Sequence, residues 1–441
     1  MAALVSMAAL EPLSNIQAEP AVVRRAPARR KSVPPPVDAE ARARAVDQVA
    51  QFLSEGAEIY IENAGALVPF FEQLYRYEQG ENPSVHVLHY GDSHTAADDW
   101  PGLLRTGLQA RFGDGGSGFS LAGRPWNSYR RLDVRSWSSG GWHTDGLVGR
   151  YGNGYYGLGG VSLSTNRAQE WVSLEANCET IEIFYLRQPG GGSFSFSHNG
   201  AYVDTISTDG PLGPGYYSFK VPAGVHRFDV STRDRAPVRL HGWVAETARG
   251  LTYETLGING AQASIAFRWN EDLLAGHIAK RNPALVMFAY GTNEADSPDW
   301  TKESYREMFA TLLNRFRKAA PTATLLVLGP PDRMLRRGRS WISHDRLDMI
   351  IEAQREAALG TGCAFLDLRA KMGGKGSMQH WVLAGLGQYD RVHFTSPGYR
   401  LLGQTMFEEL TRHYGTFVKV RERLVSLNPG REPNGQASEN N

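Results

Sequence analysis

Ser93, Asn293, Asp390 and His393 are the residues of this chain whose types and settings could do chemistry together. Ser93 lies in Gly91-Asp92-Ser93-His94 directly after an apolar run, and Asn293 lies in Gly291-Thr292-Asn293-Glu294 after another. Asp390 and His393 stand three positions apart in Asp390-Arg391-Val392-His393 near the end. A hydroxyl nucleophile, an imidazole to take its proton, a carboxylate to fix the imidazole tautomer and an amide to hold an oxyanion are the minimum for acyl transfer through a serine. The spacing of three lets one short loop or helical turn set Asp390 against His393. Singly the signals are weak. Gly-Asp-Ser is common in turns, Asn293 could be a turn residue, and Asp390 and His393 could be loop residues ahead of a helix capped by Thr395 or Ser396. Their conjunction carries the reading.

One amide donor such as Asn293 is worth roughly 3 kcal/mol of transition-state stabilisation. Gly260, in Gly257-Ile258-Asn259-Gly260, is the best backbone donor because a ligand can approach a glycine closely, with Gly257 competing for the role; the Ser93 N–H supplies a third. The predicted catalytic residues are therefore Ser93, Asp390 and His393, and the predicted oxyanion hole is Ser93, Gly260 and Asn293. A serine mechanism requires no metal or organic cofactor, and none is predicted. His86, His89 and His94 invite a metal reading, but strand alternation favours core or supporting roles, with His94 close enough to touch substrate.

These residues need elements to position them. Ser84 to Tyr90 reads as a short apolar strand running into the serine turn, and Trp100 to Phe112 as the helix after it. The same grammar returns with a helix at Ile265 to Lys280, a buried strand at Ala284 to Tyr290, a helix at Tyr305 to Ala319, a strand at Thr324 to Leu328, a helix at His344 to Leu359 and a strand at Ala364 to Leu368. Such alternation predicts a parallel sheet covered on both faces, with ligands bound beyond the carboxyl ends of the strands, where Ser93 and Asn293 both fall. Asp38 to Ser54 and Ala64 to Tyr77 read as packing helices, and Pro397 to Glu409 as another.

Between Ala122 and Arg249 the period changes. Trp171 to Ala176, Thr180 to Gln188, Ser193 to His198, Tyr202 to Ser207, Tyr216 to Val221 and Arg227 to Ser231 alternate like half-buried strands, with Asn199-Gly200 as a hairpin turn. This predicts an inserted β-sandwich. Its leading segment, Trp126 to Gly160, is dense in glycine and carries Tyr129, Trp137, Trp142, Tyr151, Tyr155 and Tyr156, which could stack on sugar rings or fill the sandwich. The predicted organisation is a basic, Pro-rich tether at 1–37, the first part of the α/β domain at 38–121, the insert at 122–249, the second part at 250–420 and a disordered tail at 421–441.

Lys plus Arg number 47 against 46 Asp plus Glu, so charge makes no case for nucleic acid as a partner. A nucleic-acid arm at Arg24 to Lys31 is the alternative to a plain tether. No stretch reaches the roughly 20 apolar residues that span a bilayer. Met1 to Ser14 makes a poor secretory signal, lacking a basic start and containing Glu11. Cys178 and Cys363 give no metal-ligand spacing and leave the redox compartment open. Oligomeric state is not legible.

The set resembles the SGNH, or GDSL-like, hydrolase superfamily. Gly91-Asp92-Ser93 matches its first block with His94 where Leu often stands, Gly260 its glycine block, Gly291-Thr292-Asn293-Glu294 its asparagine block with Glu294 where Asp is usual, and Asp390 to His393 its last. The resemblance covers 84–121 and 250–415; the long gap between the first two blocks departs from it and is accounted for by the insert. More narrowly, Gly91-Asp92-Ser93-His94-Thr95-Ala96 with Phe112-Gly113-Asp114-Gly115-Gly116 and a sandwich insert is similar to peptidoglycan O-acetylesterases and related carbohydrate esterases. The resemblance implies a flavodoxin-like three-layer α/β/α fold and a serine esterase removing short acyl groups, acetyl above all, from a polysaccharide such as peptidoglycan. It further implies a periplasmic or secreted setting. An O-acetyltransferase, a lipase or thioesterase, and a non-catalytic glycan-binding protein are the alternatives.

Overall fold

A computed structural model describes residues 37–150 and 152–427. Residues 1–36 of the tether and the predicted tail from 428 onward lie outside the described residues, as does Tyr151. Five parallel strands form the central sheet in the order Gly250–Gly257, Ser84–Gly91, Leu285–Ala289, Thr324–Gly329, Ala364–Asp367. Numbered along the chain this is 2-1-3-4-5, the flavodoxin-like doubly wound order. The order reverses between Ser84–Gly91 and Leu285–Ala289, which run side by side from Val87 opposite Leu285 to Gly91 opposite Ala289. The carboxyl ends of these two strands lead into Ser93 and Asn293.

Strand period 2 sorts the apolar side chains onto two faces. Val85, Val87, Leu285, Met287, Leu326 and Leu328 belong to one core with helices Ala39–Gly56, Val68–Glu78, Asp99–Phe112 and Ser396–Leu427. Leu88, Tyr90, Val286, Phe288, Leu325 and Val327 belong to the other with helices Glu271–Arg281, Lys302–Ala319 and Leu347–Gly360. Both faces are covered, giving three layers. Burying each such side chain contributes roughly 1.5–3 kcal/mol, and a one-residue slip would send every one to the wrong layer.

The insert is antiparallel, as its alternation predicts. Its two central strands, Trp171–Arg187 and Gly213–Thr232, are each much longer than expected because the pairs read as separate strands are continuous. Register shifts between Cys178 and Thr180, opposite Val221 to Ala223, so each strand bends there and passes from one layer to the other. The layers meet face to face: the Tyr185 ring lies 5.5 Å from Phe194, and Phe196 lies 5.3 Å from Tyr217. A bulge thus turns one nine-stranded hydrogen-bonded network into a sandwich.

Several boundaries differ from the sequence reading. Strand Val238–Glu246 escaped it because its burial is nearly continuous rather than alternating, and it pairs with Gly118–Ser120, so the antiparallel network begins before residue 122. The helix expected over Ile265 to Lys280 is two elements, since Trp269 is extended and the Asn270 side chain accepts from the Leu273 N–H at 2.9 Å to start a new helix. The last helix runs to Leu427, well past 420, held by Arg421 on Glu72 at 2.8 Å. Cys178 and Cys363 are both free and buried. Among the described residues no helix is long and apolar enough to cross a membrane.

Candidate active site

Gly91 and Gly257 face each other at the ends of paired strands, and the short helix Ser93–Ala96 sits on them. A Cβ on Gly257 would fall on the Ala96 N–H, and one on Gly91 would fall on the Thr95 side chain. The strand-turn-helix bend that presents Ser93 therefore requires both glycines. Asp92 caps the helix, its Oδ1 accepting from the His94 N–H at 2.9 Å. Ser93 is the first residue of that helix, so its N–H has no carbonyl partner in the helix and is free for an anion.

The Ser93 hydroxyl and His393 Nε2 lie 2.9 Å apart, and His393 Nδ1 lies 2.7 Å from Asp390 Oδ2. The other oxygen of Asp390 accepts from the N–H groups of Val392 and His393, both at 3.0 Å. Burial pushes the Asp390 carboxyl up, but these three donors outweigh it and hold the group down at about 2. The carboxylate is thus charged and aimed at one ring nitrogen, which leaves the other to face the serine. Arg391 bridges the pair in the left-handed region at φ 57°, its carbonyl accepting from the Met334 N–H at 2.9 Å and its guanidinium lying 4.9 Å over Trp341.

Ser93, Gly260, Asn293 and His393 line one open cleft of about 570 Å³. Gly260 is exposed, with φ 75° and no atom near a would-be Cβ, so its N–H is approachable. Gly257, by contrast, is buried beneath the serine helix. The geometry thus separates the two glycines that the sequence left in competition. Asn293 Nδ2 donates to the Ala261 carbonyl at 2.9 Å and lies 3.5 Å from Asp92 Oδ2, which fixes the amide at the cleft wall. Burial raises the Asp92 carboxyl to about 6.

The histidines separate as strand alternation implies. His94 is buried behind Ser93 and His393, with Nδ1 2.9 Å from the Tyr399 hydroxyl and its ring 5.3 Å from that of His393; burial drops it to about 3, so it packs as a neutral ring. His89 is buried against the Tyr253 hydroxyl at 2.8 Å. His86 comes within 4.8 Å of Glu246 and Glu254, a set that could hold a cation. The Arg281 guanidinium already stands among them, donating to Glu246 at 2.7 Å and to Glu254 at 3.0 Å, so the positive charge there is built in.

Sequence reasoning missed part of the wall. Ser128 and Arg130, from the insert's leading segment, line the cleft with Asp99 and Ser396. Asp99 Oδ1 accepts from Ser396 at 2.8 Å and from Arg130 at 3.3 Å. No local pattern marks them, since they meet only when the insert docks. Of the aromatics in that segment, Tyr129 and Tyr156 are buried structural rings, Trp142 and Tyr155 are half-buried, and Trp137 is exposed.

Against known proteins, residues 222–401 match the model of the GDSL-like Lipase/Acylhydrolase family, a span that holds Gly260, Asn293, Asp390 and His393. The fold matches a peptidoglycan O-acetylesterase with TM-score 0.69 and 26% identity, over 79% of this chain and 96% of that one. The chain is therefore similar to the GDSL-like acylhydrolases over its second half and to a peptidoglycan O-acetylesterase in fold. Among curated proteins none matches it. Other solved structures similar to this chain include a family two carbohydrate esterase from Clostridium thermocellum, at TM-score 0.30 and 11% identity over 58% of this chain and 95% of that one. An acetyl xylan esterase is also similar, at TM-score 0.28 and 17% identity over 34% and 77%. The acylhydrolase match and the peptidoglycan O-acetylesterase match together mark the protein as an ester-hydrolysing enzyme.

Proposed function

We propose that Ser93, His393 and Asp390 are the catalytic triad of an esterase that removes acetyl groups from a polysaccharide, with peptidoglycan as the leading substrate. The observation that carries this reading is the unbroken hydrogen-bond chain from Ser93 through His393 to Asp390 at the switch point of the sheet. The substrate assignment draws on the 26% identity to a peptidoglycan O-acetylesterase across 79% of the chain. The reading places the enzyme where that polymer lies, outside the cytoplasmic membrane.

In the first half-reaction His393 Nε2 takes the Ser93 proton as Oγ bonds to the ester carbon. The N–H groups of Ser93 and Gly260 and the Asn293 amide hold the resulting oxyanion. The intermediate collapses by breaking the bond to the sugar oxygen, which leaves with the proton from His393. Water then attacks the acetyl-serine, His393 taking its proton and returning it to Oγ as acetate departs. Asp390 stays charged throughout and stabilises the imidazolium.

Acetate release from O-acetylated peptidoglycan and from acetylated xylan, by wild type and Ser93→Ala, tests the proposal. Release should vanish in a variant that still unfolds at the wild-type temperature. Retained turnover would sink the nucleophile, and release from xylan alone would move the substrate.

A further inference from the structure

The connection between strand Thr324–Gly329 and helix Leu347–Gly360 carries a hairpin, Met334–Arg337 paired with Ser340–Ser343. Gly338 at φ 63° makes its turn, flanked by Arg336, Arg337 and Arg339, all exposed. None of the three forms an ion pair among the described residues. The only side-chain bond described for them runs from Arg336 Nε to the Gly338 carbonyl at 3.2 Å. Elsewhere on the surface Lys302, Lys318, Lys375 and Arg355 each hold a carboxylate within 3.2 Å. A chain with net charge of only +1 has acidic residues to spare, so three uncompensated guanidiniums in four positions form a local excess of positive charge.

The hairpin stands against the catalytic loop. The Met334 N–H donates to the Arg391 carbonyl, Trp341 lies under Arg391, and the Tyr389 ring lies 6.5 Å from Trp341. Tyr389 is 46% exposed and follows Gln388, which lines the cleft. An aromatic face beside a cluster of guanidiniums matches a sugar ring that carries carboxylates nearby, since rings stack on sugars and guanidinium pairs with carboxylate.

We propose that the hairpin is a carboxylate-binding site for the polymer, with Arg336, Arg337 and Arg339 gripping acidic groups of an anionic glycan and Tyr389 stacking on a sugar beside the cleft. The proposal rests on the reading of the cleft as a site for acylated polysaccharide and narrows it to carboxylate-bearing polymers. The carboxylates belong either to peptide stems or to uronic acids, and the experiment separates the two.

Calorimetric binding by the Ser93→Ala protein decides it without turnover. The ligands are soluble peptidoglycan fragments with free stem carboxylates, the same fragments amidated, xylan oligosaccharides with uronic acid side groups, and neutral xylan oligosaccharides. One acidic ligand should bind roughly tenfold tighter than its neutral counterpart, a preference that shrinks with salt. It should disappear when R336Q, R337Q and R339Q are added. The acidic ligand that responds names the source. Absence of any preference, or its survival in the arginine variant, would overturn the site. In the wild-type Ser93 background the arginine variant should keep its melting temperature and p-nitrophenyl acetate turnover, and a fall in that turnover would assign the arginines to the catalytic loop instead. Failure of the esterase reading shows separately, as absent acetate release by wild type.

Discussion

Glu294 and Ala263 are joined by a 2.8 Å hydrogen bond from the Ala263 N–H to the Glu294 carboxylate, and with the Asn293 bond to the Ala261 carbonyl this contact ties together the loops that carry Gly260 and Asn293. The second carboxylate oxygen accepts from the Gly291 N–H at 2.9 Å, and the Tyr305 hydroxyl donates to the first at 3.2 Å. The loop carrying Asn293 is thereby fixed against the loop carrying Gly260. Each oxygen of the Glu294 carboxylate is thus taken by a backbone donor.

Burial raises the Glu294 carboxyl to about 7, against the opposing pull of the Ala263 and Gly291 N–H groups. The folded state therefore holds this proton more tightly than the unfolded state does. The stability this confers is complete below the ordinary value of 4.5 and is lost as pH rises through about 7. Urea midpoints of wild type should fall across that window, and those of Glu294→Gln should fall less. Because an amide nitrogen cannot accept the second N–H, the variant should also lose roughly tenfold in kcat by loosening Asn293. Equal pH slopes would contradict the assignment.

Asp390 has the opposite sign. Its carboxyl is held at about 2, so it contributes stability above the ordinary value of 3.8 that is lost as pH falls through about 2. Asp390→Asn should unfold in acid with a shallower slope over that range. Its kcat should drop roughly 10³–10⁴-fold through the wrong imidazole tautomer, with KM little changed. A variant that retained more than a tenth of wild-type kcat would remove Asp390 from the triad.

Asn293→Ala takes away one proposed oxyanion donor and leaves the proposed triad in place. Turnover of p-nitrophenyl acetate should fall roughly 10²–10³-fold in kcat. An effect confined to KM would mean that the amide binds the ground state and not the developing charge.

Trp341 supports Arg391 from outside the cleft, and Arg391 connects Asp390 to His393. Trp341→Ala removes a cation–π contact worth roughly 0.5–1 kcal/mol and frees a left-handed residue to relax. We expect kcat on p-nitrophenyl acetate to fall three- to tenfold, on the order expected from a small misplacement of the base. Unchanged kcat with a lowered melting temperature would restrict the contact to stability.

Much of the site was legible because its signals are local. A strand that ends in Gly91-Asp92-Ser93, another that ends in Gly291-Thr292-Asn293, and a carboxylate three positions before an imidazole all reside within a few residues of chain. So does the period-2 and period-3.6 patterning that marks the parallel sheet and its covering helices. Continuity across a bulge is less local. The strands Trp171–Arg187 and Gly213–Thr232 each read as two because alternation breaks at the corner where the sandwich turns.

By itself, then, the sequence determined the fold class and singled out Ser93, Asn293, Asp390 and His393 as candidates, because backbone propensity and residue chemistry act over short separations. Only the tertiary structure decided that Gly260 and not Gly257 faces the cleft, that Glu294 links the loops of Gly260 and Asn293, and that Ser128 and Arg130 of the insert complete the wall. Ser93 and His393 are 300 positions apart, and their 2.9 Å contact exists only after the first strand and the last helix have packed on the same sheet. Contacts of that kind are set by long-range register and docking, which no window of residues encodes.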